Sequence, residues 1–170
     1  MFEQLRADAN ALWDADEIVF FEPSVSERLG LNGEAVQLLG EVGLPRRVEY
    51  LFESTQLRGS SASRGAPESV CFGSDGGAEL SIQLASGRIY ALSPSRDFPS
   101  RFVNSSMRQF LEFLMTVVAQ RRALVDLPEE AAQALIQSLV DMLWRIDAAA
   151  LNDRDHWWAV IIEQMHDGLF

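Results

Sequence analysis

Lysine is absent from these 170 residues, cysteine occurs once and histidine twice, and the longest uninterrupted apolar runs are only a few residues. Each scarcity excludes something. A lone thiol, Cys71, cannot close an intramolecular disulfide, so the fold must be held by its core. Runs such as Trp157 to Ile162 fall far short of the ~20 apolar residues that a membrane-crossing helix needs. Met1 to Trp13 interleaves acids with apolar residues and lacks the basic start and apolar stretch of a secretory leader. The expectation is a cytoplasmic protein with no membrane partner.

Basic charge is also scarce. Fourteen arginines face 25 acids, for a net charge of −11, which repels a phosphate backbone and argues against nucleic acid as a direct partner. The imbalance sits at the two ends. Met1 to Glu53 carries 4 Arg and 11 acids, Ser54 to Leu124 carries 8 and 5, and Val125 to Phe170 carries 2 and 9.

The residues that could carry chemistry are sparse and scattered. His156 and His166 stand ten apart on an expected helix, away from the i, i+4 spacing of a metal pair. Asp153, Asp155 and His156 are neighbours beside Arg154 and could in principle bind metal or move a proton, but a solvated helix start is the favoured reading. Cys71 between Val70 and Phe72 reads as a small buried hydrophobe with no nearby base to activate it. Gly73 to Gly77 lacks the lysine of a phosphate-binding loop and reads as a hairpin, and no G-x-S-x-G elbow is present. No catalytic, cofactor or metal residues are assigned, and the protein is not expected to be an enzyme.

What the chain does have is a 48% apolar fraction, enough for one sizeable core. Phe2, Leu5, Ala9, Leu12 and Trp13 recur at helical spacing. Ile18 to Phe21 is a short apolar run ended by Pro23, with Ser24 and Glu27 at capping-box spacing behind it. Asn32 precedes Ala35, Val36, Leu38, Leu39 and Val42, and Gly43 and Pro45 stop that helix. Four strand-like runs follow, Val48 to Phe52, Ser69 to Gly73, Ala78 to Leu84 and Arg88 to Leu92, with Asp75-Gly76-Gly77 and Ser86-Gly87 as tight reversals. Ser54 to Pro67 has no apolar period and reads as an exposed connection.

Helices close the chain. Asn104-Ser105-Ser106 supplies start caps for a helix with Met107, Phe110, Leu111, Leu114, Val117 and Val118 on one face. Asp126 and Glu129 around Pro128 open another, with Leu135, Leu139, Met142, Leu143 and Ile146 inward, and Asp155 can cap a last one ending near Gly168. Trp157 and Trp158 cannot share one helix face, which leaves open a division into one core residue and one contact anchor. Segregated runs of strands and helices give an α+β class, an antiparallel meander flanked by N-terminal and C-terminal helices in one domain spanning 1–170.

Three stretches then acquire meaning together: Leu38-Leu39-Gly40-Glu41-Val42-Gly43-Leu44-Pro45, the meander Val70 to Leu92, and Phe102 to Leu111 with Asn104-Ser105-Ser106 opening its helix. In this order and spacing the chain resembles the SUKH superfamily, and within it the fourth subgroup. The resemblance spans roughly residues 17 to 168. It implies an α+β sheet flanked by helices and a non-catalytic immunity protein that binds and neutralises a polymorphic toxin domain, often a nuclease or deaminase. A cytoplasmic regulatory or scaffolding module is the alternative. The matched Gly43, Pro45, Gly73, Gly87 and Asn104 read as turns and caps. For the contact face, the wet side of the meander and its turns is expected, at Asp75, Glu79, Gln83, Arg88 and Tyr90.

Overall fold

In the computed structural model, residues 2–61, 68–95, 99–124 and 127–168 are described. Helix α1 (Glu3–Leu12) buries Phe2, Leu5, Ala9 and Trp13 and leaves its acids in water, as its periodicity predicts. Strand β1 (Ile18–Val19) and the short helix α2 (Pro23–Arg28) follow. Proline takes the first helical turn of α2, where its missing N–H costs nothing, and no side chain caps it, so the expected capping box of Ser24 and Glu27 does not form. Helix α3 (Gly33–Glu41) starts as expected: Asn32 Oδ1 accepts the Ala35 amide at 2.9 Å.

Gly43 ends α3 with φ +76°. It turns the chain into β2 (Leu44–Pro45), which pairs antiparallel with β1 in a two-stranded sheet. A Cβ at Gly43 would stand 2.7 Å from both Ile18 Cγ2 and the Val19 carbonyl, so glycine serves the turn and the close approach of β1 together.

The main sheet is a six-stranded antiparallel meander in sequential order: β3 (Arg47–Val48), β4 (Phe52–Gly59), β5 (Ser69–Ser74), β6 (Glu79–Gln83), β7 (Ile89–Leu92) and β8 (Arg101–Asn104). Two expectations change here. The predicted strand Val48 to Phe52 is two strand ends around a turn: the Leu51 amide reaches the Val48 carbonyl at 3.0 Å, and Tyr50 adopts φ +61°. Apolar residues on both sides of the turn fold inward, which mimics a continuous buried strand in sequence. The predicted connection Ser54 to Pro67 is strand through Gly59, while residues 62–67 lie outside the described residues. A register shift between Ser54 and Arg58 breaks the alternation that would have marked it as strand.

Phe102 and Val103, expected to lead directly into a helix, belong to β8. Asn104 is the buried end of that strand, and Ser106 does the capping of α4 (Met107–Leu124), its Oγ accepting the Gln109 amide at 3.3 Å. Helix α5 (Glu129–Asp147) starts after Pro128 without a side-chain cap; the expected Asp126 lies outside the described residues. Its buried stripe is Ile136, Leu139 and Leu143, with Leu135, Met142 and Ile146 half-buried beside it. A 3-10 turn (Ala148–Ala150) leads to α6 (Trp157–His166). His156, not Asp155, precedes its first residue, and no side chain caps this helix; Asp153 Oδ1 accepts the Asp155 amide at 2.9 Å in the turn before it.

The core lies between the sheet and α4. Phe110 packs edge-on against Phe52 and Phe72, with centroids 5.5 and 5.3 Å away, and Trp158 closes the far side against Phe113 at 5.3 Å. Both Trp157 and Trp158 are buried, so the division into core and contact anchor that the sequence left open is not the one found. Trp158 donates to Asn104 Oδ1 at 2.7 Å and Trp157 to Asp75 Oδ2 at 2.8 Å; each indole faces a different layer and finds an acceptor there. The result is a single α+β domain, a curled meander with helices before and after it.

Candidate partner-binding face

Cross-strand pairing sets one row of side chains across five strands: Arg58 opposite Cys71, Cys71 opposite Ser81, Ser81 opposite Tyr90, and Tyr90 opposite Phe102. Directly opposed residues share a face, so this row marks the side of the sheet turned away from Leu80 and Ile82, which enter the core. Cys71 and Ser81 in its middle are buried, and Ser81 Oγ has no hydrogen-bond partner among the described residues. Only the ends of the row reach water.

The structure divides the five residues expected at the contact face. Asp75 is internal in function: Oδ1 accepts the amides of Gly77 at 2.9 Å and Ala78 at 2.7 Å, and Oδ2 takes the Trp157 indole, so the carboxylate ties the β5–β6 hairpin to α6. Gln83 accepts Ser86 Oγ at 2.5 Å and belongs to the β6–β7 turn. Arg88 is exposed, and Tyr90 stands half-buried with its ring edge-on to Phe102 at 5.6 Å.

Glu79 is engaged most heavily. It receives Arg58 Nη2 at 2.7 Å, Ser60 Oγ at 2.7 Å, Ser61 Oγ at 2.5 Å and the Ser61 amide at 3.2 Å, and its side chain is 15% exposed. Burial alone would push this carboxyl up, but the bonds from Ser61, Ser60 and Arg58, with the guanidinium charge, outweigh it and bring the pKa down from 4.5 to about 2. A depressed carboxylate contributes stability that is complete above pH 4.5 and lost as pH falls toward 2. Glu79→Gln is therefore expected to cost about 1–3 kcal/mol at pH 7. Its melting temperature should also fall less steeply than that of the wild type between pH 4.5 and 3. Parallel thermal melts across that range check this, and identical slopes would show that the ion pair adds nothing to folding.

Arg88 and Tyr90 share a cleft of about 720 Å³ with Arg101, Phe102, Asp153 and His156. The His156 ring lies 5.1 Å from Phe102, and its Nδ1 meets the Ala149 carbonyl at 2.9 Å, so Nδ1 carries the proton. That bond and stack give His156 a structural place between the 3-10 turn and β8. Among the described residues no group of three or more His, Cys, Asp or Glu could hold a metal ion. A second cleft, about 420 Å³, shares Pro99 and Arg101 with the first and lies against Trp157, with Tyr50 at its rim. Sequence reasoning missed Arg101 and Phe102 as part of this cleft because β8 was read as a helix approach; it weighed His156 only with Asp153 and Asp155, as a metal or proton-transfer group. The structure places Arg101 and Phe102 on an edge strand, with Arg101 exposed, Phe102 half-buried and Val103 buried.

A family model described as SUKH-4 immunity protein matches residues 4–164, nearly the whole chain. The chain belongs to the SUKH-4 immunity protein family. No curated protein and no solved structure matches it. SUKH-4 proteins are non-catalytic members of polymorphic toxin systems, and membership implies binding to a cognate toxin protein and its neutralisation. In this SUKH-4 chain the Asp75 and Glu79 carboxylates are held by hydrogen bonds, His156 Nδ1 meets the Ala149 carbonyl and Cys71 is buried; no helix among the described residues is long and apolar enough to cross a membrane.

Proposed function

We propose that this SUKH-4 protein acts in the cytoplasm as a single unit, 1–170, that binds one toxin domain and blocks its active surface, and that the toxin is a nuclease or a deaminase acting on nucleic acid. The family match over residues 4–164 carries this reading. The net charge of −11 supports the toxin class, since an enzyme that handles a phosphate backbone presents a basic surface, and an acidic partner complements it. Contact is proposed on the outer face of the sheet at Arg88 and Tyr90. Asp75, Glu79 and Gln83 support the shape of that face from within.

The test is calorimetric titration with the C-terminal domain of any large secreted protein encoded beside this gene, joined by association kinetics at low and high salt. The expected result is tight one-to-one binding whose association rate falls about tenfold or more as salt is raised, with dissociation little changed. An association rate indifferent to salt would remove the electrostatic argument. No binding, with recovery of an endogenous partner instead, would favour a scaffolding module.

A further inference from the structure

Phe20 is half exposed, at 50%, although its neighbours Ile18 and Phe21 are buried. The ring is supported from beneath: a Cβ at Gly43 would lie only 3.2 Å from Phe20 Cδ1, so the ring rests on the glycine backbone. A large aromatic already held in place loses little entropy when a partner covers it, which is the usual condition of an interface anchor.

Phe20 lines a cleft of about 520 Å³ with Val25 and Glu22 on one side and Thr55, Gln56 and Leu57 of β4 on the other. That stretch of β4 is an open edge. Strand β3 pairs only with Phe52 and Glu53, the Ser54 amide bonds the Arg46 carbonyl, and among the described residues no strand lies beyond them against Thr55–Gly59. Unpaired strand edges invite an added strand, whose backbone supplies affinity and whose alternate side chains fill adjoining pockets.

The surroundings select the partner. Glu22 is the acid that lines the cleft, and the segment carrying it, residues 14–45, holds seven exposed acids, Asp14, Asp16, Glu17, Glu22, Glu27, Glu34 and Glu41, against one arginine, Arg28, before Arg46 and Arg47 follow. Arg46, which also lines the cleft, is directed to the Asp16 carbonyl at 3.4 Å. An aromatic anchor beside an open strand and within an acidic segment fits a basic protein surface.

We infer that the toxin domain docks at this cleft, seating an extended basic segment along the open edge of β4 with Phe20 as its apolar anchor. The inference rests on the immunity reading and specifies its main contact. Arg58, at the near end of the cross-sheet row, lies on β4 itself, so one toxin could cover this edge and continue onto the outer face.

The test uses the full chain and the toxin domain that the titration above identifies as its partner, catalytically inactivated. Phe20→Ala is expected to weaken binding by 10-fold or more, and Glu17→Arg with Glu22→Arg to slow association and flatten its salt dependence. Amide hydrogen exchange across Gln56–Gly59 should slow in the wild-type complex. Wild-type binding with Phe20→Ala within twofold and exchange at Gln56–Gly59 unchanged overturns this inference alone. Failure of the wild type to bind in that titration overturns the immunity reading, and this inference with it.

Discussion

Asp147→Ala is expected to lower the stability of the protein by about 3–4 kcal/mol, because three donors lose their only described acceptor at once. The carboxylate is 5% exposed at the end of α5. Its Oδ2 accepts the Ser105 amide at 2.7 Å and Asn104 Nδ2 at 3.2 Å, and its Oδ1 accepts Ser105 Oγ at 3.0 Å. Each abandoned donor costs about 1–3 kcal/mol when buried, with partial relief where water enters beside half-buried Ser105. The loss should spread, since Asn104 also orients the fully buried Trp158 through a 2.7 Å bond. For a chain of this size such a loss corresponds to a drop of roughly 10 °C in Tm. Asp147→Asn keeps one acceptor oxygen but turns an N–H toward a donor, so it should recover about half of the difference. Thermal and denaturant unfolding of the two variants measure this. A loss under about 1 kcal/mol for Asp147→Ala would mean that the three donors find other partners.

That network also shows what could be read in the sequence. Asn104-Ser105-Ser106 was legible as a helix start because cap residues precede an apolar period, and the helix is there. The assignment of Asn104 as a cap was incorrect, because its partners Asp147 and Trp158 are 43 and 54 residues away. Local pattern carries local hydrogen bonding, and a buried asparagine serving three elements has no local signature. The meander was legible for the same reason: Leu80 and Ile82 alternate with polar neighbours, and the Asp75 and Ser86 turns are two-residue affairs of side chain and backbone. Strand β4 was not, because its register shift and its open edge remove the alternation on which strand recognition depends.

The contact face was the least legible part. Asp75 and Glu79 were expected on the wet side of the meander and its turns, yet both carboxylates are taken up by bonds within the protein. Trp157 and Ser60 lie far along the chain from the carboxylates that they satisfy. Conversely, Phe20 was visible as part of an apolar run, and only the fold shows that Ile18 and Phe21 turn inward while it does not.

Gly73→Ala is expected to be about as damaging as the loss of Asp147, by about 3 kcal/mol, through overpacking. The sequence suggested a turn glycine, but Gly73 lies inside β5 at a register shift, opposite Leu80. A Cβ there would meet Phe52 Cε2 at 2.2 Å, Phe52 Cζ at 2.8 Å and the Glu53 carbonyl at 2.9 Å. Phe52 has nowhere to retreat: it is 2% exposed, with Phe72 and Phe110 at 6.1 and 5.5 Å. The Glu53 carbonyl belongs to the adjacent strand and moves only if β4 moves. Gly77→Ala supplies the comparison, since its nearest contact would be Asp75 Oδ1 at an ordinary 3.8 Å, and it should change stability by less than about 1 kcal/mol in either direction. Denaturant midpoints for the two variants separate the accounts. If both glycines tolerate alanine, the ring of Phe52 is free to shift and the core between the sheet and α4 is looser than its aromatic packing implies. If only Gly73→Ala fails, that glycine is kept for the space its missing side chain leaves to Phe52, and the same displacement of β4 should weaken toxin binding along the strand's open edge.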